Sequence, residues 1–250
     1  MFGLSFAAGK RPDIVKEVIS RITSGEQLIV LTANLHITIR FCRSPVDERF
    51  RNACRVADMT VADGMPLVWA SWLLGDPLPA RVAGVDLMVD LCGAATELAL
   101  SVFLFGAQPH VASRAAEVLK RHFPNLKISG IYSPPVGFEN DRIERERALR
   151  TINAHAPDLL FVALGTPKAE HWISEVRSTL CTKMVMGVGG ALDMVAGKFL
   201  RAPRLFQITG LEWLWRLVQD PVRLGKRYAK DAAAFPLLIW NEWRLRRRNR

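Results

Sequence analysis

Six short apolar runs, each separated from the next by a stretch longer than ten residues, leave this chain of 250 residues few folds to adopt. The runs are QLIVLTA (27–33), MTVAD (59–63), SVFLFGA (101–107), LKISGIY (126–132), DLLFVALG (158–165) and KMVMGVGG (183–190). Between them lie helical patterns over about Pro45–Ala57, 65–74, 84–99, 109–122, 139–154 and 168–179. Apolar runs without alternation belong to strands buried on both faces, and intervening helices supply the crossovers of βαβ units. The expectation is an α/β fold of Rossmann-like type: a mainly parallel sheet, helices on both faces and right-handed crossovers. Ligands of such sheets bind outside the carboxyl ends of the strands. Five strand ends are therefore the first places to look: Ala33-Asn34, Asp63-Gly64, Gly106-Ala107, Gly165-Thr166-Pro167 and Gly189-Gly190.

The pattern changes near residue 200. No strand-like run follows Phe199; Pro203 opens a helix expected to reach Gln219, and Asp220-Pro221 marks a restart. Residues 1–200 read as a catalytic domain and 201–250 as a helical appendage. Charge divides at the same place. The formal net charge is +10, and residues 201–250 alone hold 12 Lys/Arg against 4 Asp/Glu. Trp213, Trp215, Trp240 and Trp243 are interleaved with Arg216, Arg223, Arg227, Arg244, Arg246, Arg247 and Arg248. Indole rings favour the headgroup level of a bilayer and arginines attract anionic lipids, so a membrane-associating tail is expected. A nucleic-acid arm is the rival, since basic residues with aromatics also bind phosphodiesters; the apolar FPLLIW segment favours the membrane. A helical hairpin with a solvated basic face is the plainest alternative.

Other classes fall away. No apolar stretch approaches the ~20 residues that span a bilayer, and MFGLSFAAGKRP lacks the order of a secretory signal. The four cysteines form no C-x-x-C pair and no zinc spacing, which suits reduced thiols. With no G-x-G-x-x-G after the first run and no P-loop, an NAD(P) oxidoreductase or an NTPase has little support.

Asp63 is the leading chemical candidate. It ends a strand and precedes a glycine, where a carboxylate can take a proton from a sugar hydroxyl; an Asp-Gly turn or a helix cap is the plain alternative. Thr32 and Asn34 can hydrogen-bond a sugar or align the base, and Asn34 can equally cap a helix. Arg81, in a loop before a helix, suits a diphosphate or a surface ion pair. Gly106 and Gly165 lie in turns whose free N–H groups can hold a phosphate, and Lys168 adds a cation. Gly189 permits close ligand approach, and Asp193 either binds a donor hydroxyl or braces its loop. His36 reads as a surface or structural histidine. No D-x-D or other metal cluster is present, so no metal or cofactor is expected.

Together these segments resemble the bacterial WecG/TagA/CpsF glycosyltransferases, glycosyltransferase family 26, from about residue 27 to about residue 230. The markers are T-A-N at 32–34, A-D-G at 62–64, L-P-A-R-V-A-G-V-D at 78–86, L-F-G-A at 104–107, L-G-T-P-K at 164–168, G-V-G-G-A-L-D at 187–193, and R-A-P with G-L-E-W-L-W-R-L near 201–217. The resemblance implies inverting transfer from a UDP-sugar to an undecaprenyl-diphosphate-linked saccharide at the cytoplasmic face of the inner membrane, in exopolysaccharide or cell-envelope synthesis. It implies Asp63 as base, Thr32 and Asn34 beside it, and Arg81 in the pocket. Arg216, Arg223 and Arg227 would bind acceptor or leaving-group phosphates. The anionic membrane surface is the expected partner, nucleic acid is not, and self-association is left open. One departure stands out: where the family often has P-K-Q-E-x-W, this chain has Ala169 in place of the glutamine. That difference points to a different sugar, for example a plain hexose such as glucose.

Overall fold

The computed structural model describes residues 1–43 and 47–248, with the side chains of Ile208 and Arg223 outside the description. Pro45, the expected start of one helix, also lies outside the described residues. The chain opens with α1 (Arg11–Thr23), β1 (Leu28–Ala33), α2 (Leu35–Cys42), α3 (Glu48–Arg55), β2 (Met59–Ala62), α4 (Met65–Leu73) and α5 (Gly84–Glu97). It continues through β3 (Ser101–Gly106), α6 (Pro109–His122), β4 (Lys127–Tyr132), α7 (Arg142–His155), β5 (Leu159–Ala163), α8 (Lys168–Val176) and β6 (Met184–Gly187). The last elements are α9 (Ala191–Val195), α10 (Arg204–Ile208), α11 (Glu212–Gln219) and α12 (Pro221–Arg248).

The six strands form one parallel sheet in the order β2-β1-β6-β5-β3-β4. All carboxyl ends therefore share one edge. Side chains alternate between faces with period two. Leu28, Val30, Leu104, Phe161 and Met186 pack with α1, α5 and α6; Ile29, Phe103, Phe105, Leu160 and Val185 pack with α7 and α8. Burial on both sides is what makes every strand but the edge strand β4 read as an unbroken apolar run. All four cysteines are free, and burial pushes the Cys92 thiol up to about 12.

Two helices escape the apolar-run pattern. In α1 only Ile14, Val18 and Ile22 are buried, a narrow i, i+4, i+8 stripe in a polar segment. A second, α2, follows β1 after the single residue Asn34 and reads as a continuation of its apolar run. The helix expected from Pro203 to Gln219 is two helices, because Gly210 interrupts it with φ +78°. That turn presses on α4: a Cβ at Gly210 would lie 2.5 Å from Met65 Cγ and 3.1 Å from Trp69 Cζ2.

Beyond the turn, α12 runs about 42 Å at 1.5 Å per residue. It lays Phe235, Leu238, Ile239 and Trp243 against a cluster containing Phe2, Leu67, Ala70 and Leu74. His36 of α2 meets Asp231 of α12 at 3.1 Å, and Arg246 donates to the Leu74 carbonyl at 3.1 Å. Among the described residues no helix is long and apolar enough to cross a membrane.

Gly210 is therefore a hinge that only glycine fits. Gly210→Ala is expected to lower stability by at least the ~1–2 kcal/mol of a left-handed residue and to speed tryptic cleavage at Arg204 and Arg216. A variant with wild-type melting and wild-type protease resistance would contradict this.

Candidate active site

Asp63 stands one residue past β2. Its N–H donates to the Ala33 carbonyl at 2.8 Å, continuing the parallel ladder and fixing the residue at the lip of the sheet. The capping alternative does not describe it: Gly64, with φ +146°, is the N-cap of α4, and no side chain caps that helix. The Asp63 carboxylate instead lies beside Gly84, the first residue of α5, whose N–H favours its charged form. Helix N-termini favour an anion there. A Cβ at Gly84 would lie 3.4 Å from both Asp63 Oδ2 and Thr32 Cγ2, so the chain approaches the carboxylate closely. The preceding loop is fastened to the same strand by Val82 N–H, which donates to Ala62 O at 2.9 Å.

Around this carboxylate the charges come from distant parts of the sequence. Burial raises the Asp63 pKa above the ordinary carboxylate value; Arg216, Arg81 and the Gly84 N–H oppose the rise, and Glu212 adds to it. Arg81 Nη1 donates to Glu212 Oε2 at 2.7 Å, and both side chains are largely buried. The ion pairs continue: Arg201 lies 3.6 Å from Glu212 and 2.6 Å from Asp86, while Arg11 reaches Asp86 at 3.1 Å and Asp90 at 2.7 Å. Arg216 Nη2 lies 3.6 Å from where a Gly190 Cβ would sit. Helix α11 thus delivers one acid and one base to the lip holding Asp63.

The other candidates are distributed as follows. Thr32 Oγ1 donates to the Gly187 carbonyl at 2.8 Å, tying β1 to β6 beside Asp63. Asn34 Oδ1 accepts the Ile37 N–H at 3.0 Å and caps α2. Gly106 has φ +99°, and a Cβ there would meet Ala163 O at 2.6 Å, so close approach to β5 already accounts for it. Gly165 and Gly189 have positive φ and open space where a side chain would be. Lys168 pairs with Glu139. Asp193 pairs with Lys198 at 3.0 Å, the bracing arrangement. In the tail, Arg227 lies over the Tyr228 ring, and the Arg223 side chain is outside the described residues. Among the described residues no three His, Cys, Asp or Glu side chains are grouped to hold a metal. Gly84, Arg201 and Glu212 were not singled out in the sequence. Gly84 and Glu212 stand inside the quoted motifs, but only the fold brings them to Asp63.

A carboxyl whose pKa is raised on folding makes the folded state bind protons more readily than the unfolded state. Its unfavourable contribution is absent below the unfolded pKa and grows as pH rises toward the folded pKa. Asp63→Asn is therefore expected to melt higher than wild type at neutral pH, with the advantage vanishing under acid conditions. A thermal-melt series against pH checks this; equal melting temperatures at pH 7 would contradict it.

The whole chain, residues 1–250, matches the family model described as the Glycosyl transferase WecG/TagA/CpsF family. Among curated relatives, the N-acetylglucosaminyldiphosphoundecaprenol N-acetyl-beta-D-mannosaminyltransferase of Bacillus spizizenii is 37% identical over 194 residues, covering 78% of this chain and 72% of the relative. Proteins of the same name from Staphylococcus aureus strains MRSA252 and MW2 are each 32% identical over 203 residues, covering 81% of this chain and 76% of theirs. With its parallel sheet and its part-buried carboxylate near two arginines, the chain belongs to the WecG/TagA/CpsF family and is a glycosyltransferase.

Proposed function

We propose that this enzyme transfers a hexose or N-acetylhexosamine from a UDP-sugar to an undecaprenyl-diphosphate-linked saccharide, with inversion at the anomeric carbon. The observation that carries the reading is the Asp63 carboxylate at the sheet lip, faced by Arg81 and Arg216. In a single in-line displacement, the acceptor oxygen bonds to the anomeric carbon while the bond to UDP breaks, and the acceptor proton passes to Asp63. A raised carboxylate pKa makes a better base. Arg81 and Arg216 meet the charge that develops on the departing diphosphate. The relatives' names specify a lipid-diphosphate acceptor, which supports the same acceptor class here.

The tail fits a substrate anchored in a membrane, and the reading places the enzyme peripherally on the cytoplasmic face of the inner membrane. Trp240 and Leu237 are exposed on α12, as is Trp213 on α11. Arg244, Arg247 and Arg248 are exposed near the end of α12, and Arg247 stacks 3.8 Å over Trp243. The donor sugar is left open between the two classes. Ala169, buried in the first turn of α8, packs in the core with Trp172 and Val185 and carries no side-chain amide.

Asp63→Asn is expected to lower kcat by about 10²–10⁴-fold, measured with a panel of UDP-sugars and a short-chain lipid-diphosphate saccharide. Near wild-type transfer by the folded variant would reject Asp63 as base. Replacing Arg244, Arg247 and Arg248 together by Gln is expected to weaken sedimentation with anionic liposomes by ~10²-fold, at ~1 kcal/mol per charge. Unchanged binding would reject the membrane role of the tail.

A further inference from the structure

Glu212 is a buried carboxylate, 7% exposed, carried by α11 into a site that already holds an anionic base. Bringing a second anion beside Asp63 is unfavourable unless it is compensated, and the compensation is visible. Its two oxygens face two different arginines, Arg81 at 2.7 Å and Arg201 at 3.6 Å. Those arginines come from opposite ends of the fold: Arg81 from the loop that delivers Gly84, and Arg201 from the segment leading into α10. Arg201 is itself fixed to Asp86 in the first turn of α5, the helix whose N-terminal N–H meets Asp63. One carboxylate thus joins the base's loop to the appendage through charged, part-buried contacts. Arg216, one helical turn further along α11, faces Asp63.

We propose that Glu212 is a positioning residue: one oxygen holds Arg81 in a cationic wall with Arg216 beside Asp63, and the other oxygen is braced by Arg201. This deepens the transfer reading above and rests on it for its effect on turnover. The groups facing Asp63 are Arg216, Arg81, Glu212 and the Gly84 N–H. When Glu212 is present it offsets part of the arginines' pull on the Asp63 proton, so the base stays strong in a cationic pocket. It also keeps Arg81 from collapsing onto Asp63 as a direct ion pair, which would occupy the carboxylate needed for the acceptor proton. An undocked appendage would withdraw both Glu212 and Arg216, leaving Asp63 without this tuning and the diphosphate without one of its cations.

The test uses the full chain labelled with carboxyl-13C aspartate, the Asp63 signal being assigned by its loss in Asp63→Asn. Glu212→Gln is expected to move the Asp63 titration midpoint down, because a neighbouring anion is gone and Arg81 is unopposed. Arg81→Gln is expected to move it up, because a cation is gone. The two changes are expected to be non-additive in the double variant, since the residues are in contact. In the transfer assay, Glu212→Gln is expected to reduce kcat by about 10²-fold, with a smaller change in KM and an acid limb displaced to lower pH. A merely structural Glu212 would lower melting temperature and leave the midpoint of Asp63 where it was; that result overturns the proposal. Should the wild-type chain transfer no sugar, the functional reading falls, while opposed shifts in the two variants still support the wall. Equal midpoints in wild type and both variants reject the wall whatever the activity.

Discussion

The constraint on which the site depends is the close approach of Gly84 to the Asp63 carboxylate. It joins the end of β2 to the start of α5 across the lip of the sheet. It also sets a backbone N–H beside a largely desolvated carboxyl, which opposes part of the rise that burial causes in its pKa. The rest of the arrangement follows from that fixed point. The loop before Gly84 carries Arg81, and the first turn of α5 carries Asp86, so one short segment supplies the base's partner, a cation and an anchor for Arg201.

Burial and arginines act on Asp63 in opposite directions. Desolvation raises the carboxyl pKa, and the arginines oppose that rise. In the proposed transfer both effects are used: the raised pKa suits a base, and the arginines meet the departing diphosphate. The appendage belongs to the same logic. It brings Arg216 and Glu212 to the pocket and, through the Asp231–His36 pair and the apolar seam of α12, is held across α2 and α4.

Much of the scaffold was legible because parallel strands buried on both faces must be apolar at every position. Five of the six strands were readable on that ground, with ends within two residues of those observed for Leu28–Ala33 and Met59–Ala62, whereas the edge strand β4 is exposed or half-buried throughout. Helix α1 was not, because three buried residues in thirteen leave a faint stripe. Nor was the break at Gly210, whose cause is contact with Met65 and Trp69, far away in sequence. In the site, Asp63, Arg81 and Arg216 were marked by residue type and by place at a strand end, in a loop before a helix and in the basic tail. Gly84 and Glu212 were not, since their roles are made by partners 21 and 131 positions distant and no local pattern encodes them. Asn34 was legible in both of its readings; the structure displays the cap.

The account's central claim is that Asp63 and the arginines flank one reacting centre. A crystal structure of the full chain with UDP and a short-chain lipid-diphosphate saccharide tests it most directly. The account predicts the diphosphate on Arg81 and Arg216, with the acceptor hydroxyl about 2.6–3.2 Å from an Asp63 oxygen. A diphosphate seated elsewhere on the sheet edge, with Asp63 sealed from the acceptor, would contradict it.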